Sequence, residues 1–296
     1  MRVNPNPYPD LLAAVSQAQQ QIATDEAEIA SGLSVNQPSD NPAAAAELIQ
    51  NADQTSQVDQ FQRSVGSIQG EMQNADSALN SVTAALQQAI TLGTEGANGT
   101  VNSADRAAIA AQVQGIQSQL LSLANLTYQG NYVFSGTATQ TAPYVLDPNS
   151  SSGVTYQGNP DTNRVTLGND FSLQTNLPGS QLFSAAANNM FQSIQDLING
   201  LFSGNGIGTA VNEVSNVLNY IDQQRVFYGN GLNQLNSQST YLSSESTGLA
   251  QQENTIGEAD LPTVITNLTT SQVGLEATLQ TIGQTSQINL FDYLRQ

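Results

Sequence analysis

Residues Leu261 to Leu294 read LPTVITNLTTSQVGLEATLQTIGQTSQINLFDYL, and the apolar spacing of this stretch decides the architecture. Ile265, Leu268, Leu275, Leu279 and Ile282 alternate in steps of three and four, with Gln272 and Ser286 filling the gaps. That spacing lays one narrow apolar stripe along a helix, the pattern of a coiled coil; a helix of an ordinary globular domain shows a wider face. Such a stripe requires a partner helix, from this chain or from another.

The other end of the chain carries a second stripe. Residues 1–9 hold three prolines and are expected to be extended. Leu11 or Leu12, then Val15, Ala18, Ile22 and Ile29, keep the same rhythm, interrupted by Asp25. This predicts a helix from about Asp10 to Ser31, ended by Gly32 as a C-terminal cap. Val35 to Pro42 is a loop of prolines and short polar side chains, with Asn41 as N-cap and Pro42 as first residue of the next helix.

From Ala43 to about Gly93 there is no proline, and Val65, Ile68, Met72, Ala75, Leu79, Val82 and Leu86 alternate without a break. About 50 residues at roughly 1.5 Å each make a helix of about 75 Å, a member of a bundle or coiled coil. A glycine-containing turn spans Gly93 to Asn102. Ser103 is the expected cap of a third helix, with Asp105 in its first turn favourable to the dipole. Ile109, Val113, Ile116, Leu120 and Leu123 give that helix its stripe, and it is expected to end near Tyr128 to Gly130.

The character then changes. Between Asn131 and about Phe183 the chain is rich in Thr, Gly, Asn, Pro, Tyr and Val, with short alternating runs at Tyr132-Val133-Phe134, Val154-Thr155-Tyr156 and Arg164 to Leu167. This is a small β-rich insert. Helical patterning resumes with Met190, Phe191, Ile194, Leu197, Ile198 and Leu201. A glycine turn at Gly204 to Gly208 precedes Val211, Val214, Val217, Leu218 and Ile221, and weaker periodicity continues through Leu232, Leu235, Leu242 and Leu249. The fold class is therefore mainly α: a long coiled-coil or helical-bundle rod from the N- and C-terminal segments, with a small β-rich domain inserted in the middle. The expected divisions are 1–42 (N-terminal helix and loop), 43–130 (first half of the helical rod), 131–183 (β-rich insert), 184–260 (second half of the rod) and 261–296 (C-terminal coiled-coil helix).

Composition removes most function classes. The chain has no His, no Cys and no Lys, six Arg, and 24 carboxylates for a net charge of −18. Charged residues are 10% of the chain, against about 25% in ordinary soluble domains. No basic footprint exists to neutralise phosphates, so no nucleic-acid partner is expected; an anionic membrane surface is disfavoured for the same reason. No run approaches the length of a membrane-spanning helix, so no membrane insertion is expected, and the N-terminus lacks the apolar core of a secretory signal. Ser-His-Asp, Cys-His and Ser-Lys nucleophiles, Schiff-base lysines and His- or Cys-ligated zinc all need a residue this chain lacks. The carboxylates are scattered over predicted helix surfaces and no Trp offers a sugar platform, against a glycosidase. Gly204-Asn205-Gly206-Ile207-Gly208 follows a helix, not the strand that a dinucleotide fingerprint requires. The loop Asp147 to Gly153 lacks EF-hand spacing. Asn125-Leu126-Thr127 sits inside a predicted helix and carries little information. No catalytic, cofactor or metal residue is expected.

Several stretches resemble the flagellin family. IASGLSVNQPSDNPAAA (29–45) is similar to its N-terminal signature, although Leu33 and Ser34 stand where basic residues are usual. Leu86-Gln87, GANGT (96–100) and SADR (103–106) match a second segment. GNYVFSGT (130–137) and the ending INLFDYL (288–294) look like the hook–filament junction branch of that family. The resemblance implies a non-enzymatic axial protein of the bacterial flagellum, exported unfolded through the flagellar type III apparatus. It also implies self-assembly into a thin ring, with hook-associated protein 1 and flagellin as neighbours and an export chaperone on the C-terminal segment before secretion. Terminal helices would form the core and the β insert would face outward. Under that reading Leu12, Val15, Ile22, Ile29, Ile265, Leu268, Leu275, Leu279, Ile282, Leu290 and Leu294 are the expected subunit-interface residues. Lacking partners, the terminal helices of a free copy are expected to be partly disordered. A minor flagellin, or a secreted monomeric adhesin using the β insert, remain as alternatives.

Overall fold

The computed structural model describes residues 8–168 and 171–293, with side chains of the last helix described as far as 284. In chain order these form helices α1 (Tyr8–Ser31), α2 (Pro42–Gly96) and α3 (Ser103–Ala124), then strands β1 (Thr127–Tyr128), β2 (Asn131–Tyr132), β3 (Tyr144–Leu146), β4 (Val154–Tyr156), β5 (Arg164–Thr166) and β6 (Ser172–Gln174). The short helix α4 (Gly179–Leu182), β7 (Ser184–Ala185) and β8 (Asn188–Asn189) lead into α5 (Met190–Ser203), α6 (Ile207–Gly257) and α7 (Leu261–Tyr293). With 71% of the chain helical and the strands confined to its middle, the fold is mainly α with a small β-rich insert, as the periodicity predicts.

The helix ends follow local chemistry. Gly32 closes α1 at φ +73°, its amide donating to Glu28 O at 2.8 Å, a left-handed cap that a side chain would strain. Asn41 Oδ1 accepts from Ala44 N at 3.2 Å and Pro42 opens α2. The cap of α3 is Asn102, not Ser103: its Oδ1 accepts from Asp105 N at 2.9 Å while its Nδ2 donates to Asp105 Oδ2 at 2.7 Å. That reciprocal pair satisfies an amide which the shorter serine, one residue later, is no longer placed to reach. Helix α3 also stops at Ala124, short of Tyr128, because Asn125 leaves the helix to bind the insert. Asn125-Leu126-Thr127 therefore lies at a helix end and a strand rather than inside a helix. The turn between α5 and α6 is Gly204 to Gly206, preceded by a helix and not a strand, and Ile207 and Gly208 already belong to α6.

The chain divides into two compact units, residues 58–243 and residues 1–57 with 244–296. In the larger unit Val65, Ile68, Met72, Ala75, Leu79, Val82 and Leu86 are all buried, as the stripe of α2 requires. Helix α6 presents Val214, Ile221, Tyr228, Leu235 and Leu242, buried at every seventh residue. Asp76 meets Arg225 at 3.0 Å and Gln69 meets Asn236 at 3.0 Å, so the two helices run antiparallel. Ile109, Val113, Ile116 and Leu120 of α3 and Phe191, Ile194, Leu197 and Leu201 of α5 complete this core. Each fully buried aliphatic or aromatic side chain contributes about 1.5–3 kcal/mol, and this unit holds nearly all of them.

The insert is not one sheet. The strands pair as four separate antiparallel ribbons, β1–β2, β3–β4, β5–β6 and β7–β8, beginning before and ending after the residues 131–183 expected from composition. Isolated two-stranded ribbons are marginal, so side chains tie these together. Asn125 brackets the backbone of Tyr144 with two 2.8 Å bonds. The Tyr144 hydroxyl lies 2.8 Å from both Gly179 O and Ser184 Oγ. Phe134 and Phe183 meet edge to face at 5.2 Å. Gly136, at φ +74°, leaves no room for a Cβ beside the Asn159 backbone. Helix α6 anchors the insert through Tyr228 Oη, which accepts from Leu177 N at 3.3 Å, and Gln238 Nε2, which donates to Leu167 O at 2.6 Å.

Candidate assembly surface

In the smaller unit the loop after α1 is locked onto the α6–α7 turn. Ser34 N donates to Gly257 O at 2.7 Å, Ala259 N donates to Gly32 O at 3.0 Å, and Leu33 bridges Glu258 in antiparallel fashion. Ser34 Oγ adds a bond to Gly257 O at 3.2 Å. The loop keeps its own shape through Asp40, whose Oδ2 accepts from Asn36 N at 3.1 Å and Gln37 N at 2.8 Å. Asn36 Nδ2 returns to Leu33 O at 3.1 Å. These bonds give the polar letters of the 29–45 stretch a structural reason: each closes a backbone group that the proline-rich loop cannot pair with itself.

The loop brings the end of α1 to the start of α7, and the two helices pack along one another, antiparallel. On α1 the inward positions are Leu11, Val15, Ala18, Ile22, Asp25 and Ile29; on α7 they are Val264, Leu268, Ser271, Leu275, Thr278 and Ile282. Both terminal helices are thus formed and paired within a single chain. Each supplies the other with a partner on one side.

The coverage is thin. Among the described apolar side chains of this unit only Ala45, Leu249, Ala259 and Val264 are buried, with Asp25 and Asn51 as buried polar residues. Val15, Ile22, Ile29, Leu268, Leu275 and Ile282 are half-buried between α1 and α7. Leu12, Ile265 and Leu279 stay outside that pairing at 48%, 51% and 50% exposure; Leu11, not Leu12, faces α7. Leu290 lies in α7 beyond the described side chains, and Leu294 lies outside the described residues. On α7 the exposed row (Leu261, Ile265, Gln272, Leu279) runs beside the covered one. The periodicity of the large residues blends the two rows. Ser271 and Thr278 are inward but polar, so hydrophobicity alone assigns the stripe to the wrong side of Leu268 and Leu275.

Among the described residues of this unit the side-chain charge has one sign. Residues 8–57 and 244–293 contain thirteen carboxylates and neither Arg nor Lys. Asp25 is buried; its Oδ1 accepts from Gln21 Nε2 at 2.9 Å, while its Oδ2 has no hydrogen-bond partner. Burial, with Asp25 and then Asp40 nearby, raises the Glu28 carboxyl above its ordinary range. Asn51 donates from Nδ2 to Leu249 O at 3.0 Å and accepts from Thr55 Oγ1 at 3.4 Å, a buried polar pairing that fixes helix register. The periodicity of large apolar residues singles out neither Asp25 nor Asn51 as a pairing residue; Asn51 precedes Val58 and Val65 at seven-residue spacing, which is the signal that identifies it.

Among the described residues no three His, Cys, Asp or Glu stand together as a metal site, and no helix is long and apolar enough to cross a membrane. The chemistry on offer is recognition: a half-covered pair of helices, an ordered loop and exposed aliphatic rows.

Comparison with known proteins agrees with this geometry. Residues 6–139 match the bacterial flagellin N-terminal helical region. The chain is 26% identical to the flagellar hook-associated protein 3 of Escherichia coli (strain K12) over 290 residues, 89% of this chain and 90% of that protein. Its fold is similar to a flagellar hook-associated protein from Vibrio parahaemolyticus, with a TM-score of 0.67 at 20% identity over 74% of this chain and 99% of that one. It is also similar to the flagellar junction protein FlgL of Legionella pneumophila, with a TM-score of 0.56 at 15% identity over 65% and 99% of the two chains.

Proposed function

We propose that this chain is a structural, axial component of the bacterial flagellum that acts at the hook–filament junction. The observation that carries the reading is the thin core of the smaller unit. Helices α1 and α7 are paired, yet Leu12, Ile265 and Leu279 remain half exposed. Apolar rows of that kind, at coiled-coil spacing, are completed by further helices. Similarity to hook-associated protein 3 along nearly the whole chain supports the junction over other places in the filament.

In this reading copies associate side by side into a ring through α1 and α7, with hook-associated protein 1 on one side and flagellin on the other. The chain reaches its place by flagellar export, with a chaperone holding the C-terminal segment beforehand. The expected interface residues are the exposed Leu12, Ile265 and Leu279, the half-buried Val15, Ile22, Ile29, Leu268, Leu275 and Ile282, and Leu290 and Leu294. The role is structural, not enzymatic.

Immuno-electron microscopy of flagellated cells tests the location. A label confined to the hook–filament boundary supports the junction role, and a label along the whole filament overturns it. Deleting residues 261–296 tests the mechanism, because a truncated chain that still assembles on cells removes α7 from the interface.

A further inference from the structure

Besides the α1–α7 rows, the smaller unit carries a groove of about 480 Å³ whose lining includes Leu33, Leu48, Ile49, Glu253, Gly257 and Glu258. Much of its lining is aliphatic. Leu33 is 47% and Ile49 63% exposed, large apolar side chains held open to solvent at the point where the loop, the start of α2 and the end of α6 meet. Glu253 and Glu258, both exposed, belong to the same lining. Ser34, Gly257 and Ala259 bind the loop to the turn through backbone hydrogen bonds, so the groove is shaped before anything enters it, which lowers the ordering cost of binding.

We infer that this groove docks a helix of a different protein, one with aliphatic anchors flanked by arginine or lysine. The inference rests on the reading of this unit as an assembly surface and adds the chemistry of one partner. Charge decides between the occupants. An aliphatic anchor fills the pocket over Leu33, Leu48 and Ile49, and a cation beside it meets Glu253 and Glu258. A second copy of this chain is poorly suited to supply that cation. It has no Lys, and the described part of its own smaller unit has no Arg. Of the four arginines in the larger unit, three donate within it: Arg106 to Val101 O, Arg164 to Ser172 Oγ and Arg225 to Asp76. Two copies meeting through these carboxylates would bring like charges together, which disfavours a wrong partner. The groove therefore distinguishes a basic neighbour from a sister copy, while the uncharged rows of α1 and α7 serve contacts between copies.

The test uses the full-length chain and two fluorescein-labelled amphipathic helical peptides with the same leucine positions, one flanked by arginines and the other by glutamates. Binding is read by fluorescence anisotropy at low and at high salt. The expected result is that the arginine peptide binds, weakens as salt rises, and binds roughly fivefold more weakly to the E253Q/E258Q double variant, since each exposed pair contributes modestly. Ile49→Asp should abolish binding with an unchanged circular dichroism spectrum. Ile49 is exposed, so the substitution does not open the core. Equal binding of the glutamate peptide, no binding of either, or a dimer in sedimentation that Ile49→Asp abolishes would each overturn the proposal. None of these outcomes bears on where an antibody label falls on the flagellum, so the junction role stands or falls separately.

Discussion

At the scale of single residues, polar side chains in the wrong-looking places do most of the specifying. Tyr228 sits on the heptad row of α6 where a leucine would pack, and burial pushes its phenol well above the ordinary range, with Glu71 and Asp76 adding to the shift. Its hydroxyl is the acceptor for the buried Leu177 amide. Tyr228→Phe keeps the ring and orphans that amide, so it should cost about 1–3 kcal/mol in urea denaturation. Glu71 shows the opposite economy. Burial raises its carboxyl above 4.5, so the folded state holds that proton more tightly than the unfolded chain. Stability from this group is present at acid pH and is lost as pH rises from about the unfolded value through the folded one. Glu71→Gln should therefore raise the Tm at pH 7, and the gain should shrink toward zero as pH falls to 4. A Tm difference that is flat with pH would remove burial as the cause.

At the scale of elements, α7 carries two apolar rows that share Leu268, Leu275 and Ile282, and the fold uses one of them. Val264, Ser271 and Thr278 turn the shared residues toward α1, leaving Ile265 and Leu279 outside. The consequence is a separation of effects. Leu279→Asp should leave the helical content and thermal melt of the free chain unchanged while blocking assembly on cells. Leu275→Asp places a charge between α1 and α7 and should unpair them, which hydrogen exchange of α1 amides would detect as a loss of protection. If both substitutions behave alike, the two rows are not distinct surfaces. The β ribbons teach a related lesson. Their alternation is visible as Val154-Thr155-Tyr156 or Arg164-Val165-Thr166, but what binds the ribbons together depends on Asn125, Tyr144, Asn159 and Asn176, whose side chains imitate backbone partners across gaps in sequence of up to 40 residues.

At the scale of the whole molecule, the two units differ in what holds them. Residues 58–243 bury Met72, Leu79, Leu86, Leu120, Phe183, Phe191 and Tyr228 fully, whereas the unit of 1–57 and 244–296 buries only four apolar side chains among those described. A fragment of residues 58–243 should therefore melt cooperatively near the Tm of the larger unit in the full chain, by differential scanning calorimetry. In the full chain, limited proteolysis should cut α1 and α7 before it cuts α2 within residues 58–96, because a sparse core leaves low local unfolding free energy.

The sequence by itself determined the mainly helical class, the long proline-free α2 with its buried stripe, the caps at Gly32 and Asn41, the strand-rich middle, and the absence of His, Cys and Lys that removes most catalytic chemistry. Each is a local property, carried by periodicity, dihedral preference or composition within a few turns of chain. The tertiary structure alone decided that Asn125 leaves its helix for the insert. It also decided which side of Leu268 and Leu275 faces α1. Those outcomes depend on neighbours distant in sequence. The stretch from Leu261 shows the limit clearly: its spacing demands a partner helix, but a stripe has two flanks. Only the packing of α1 against Val264, Ser271 and Thr278 leaves Ile265 and Leu279 as the exposed flank.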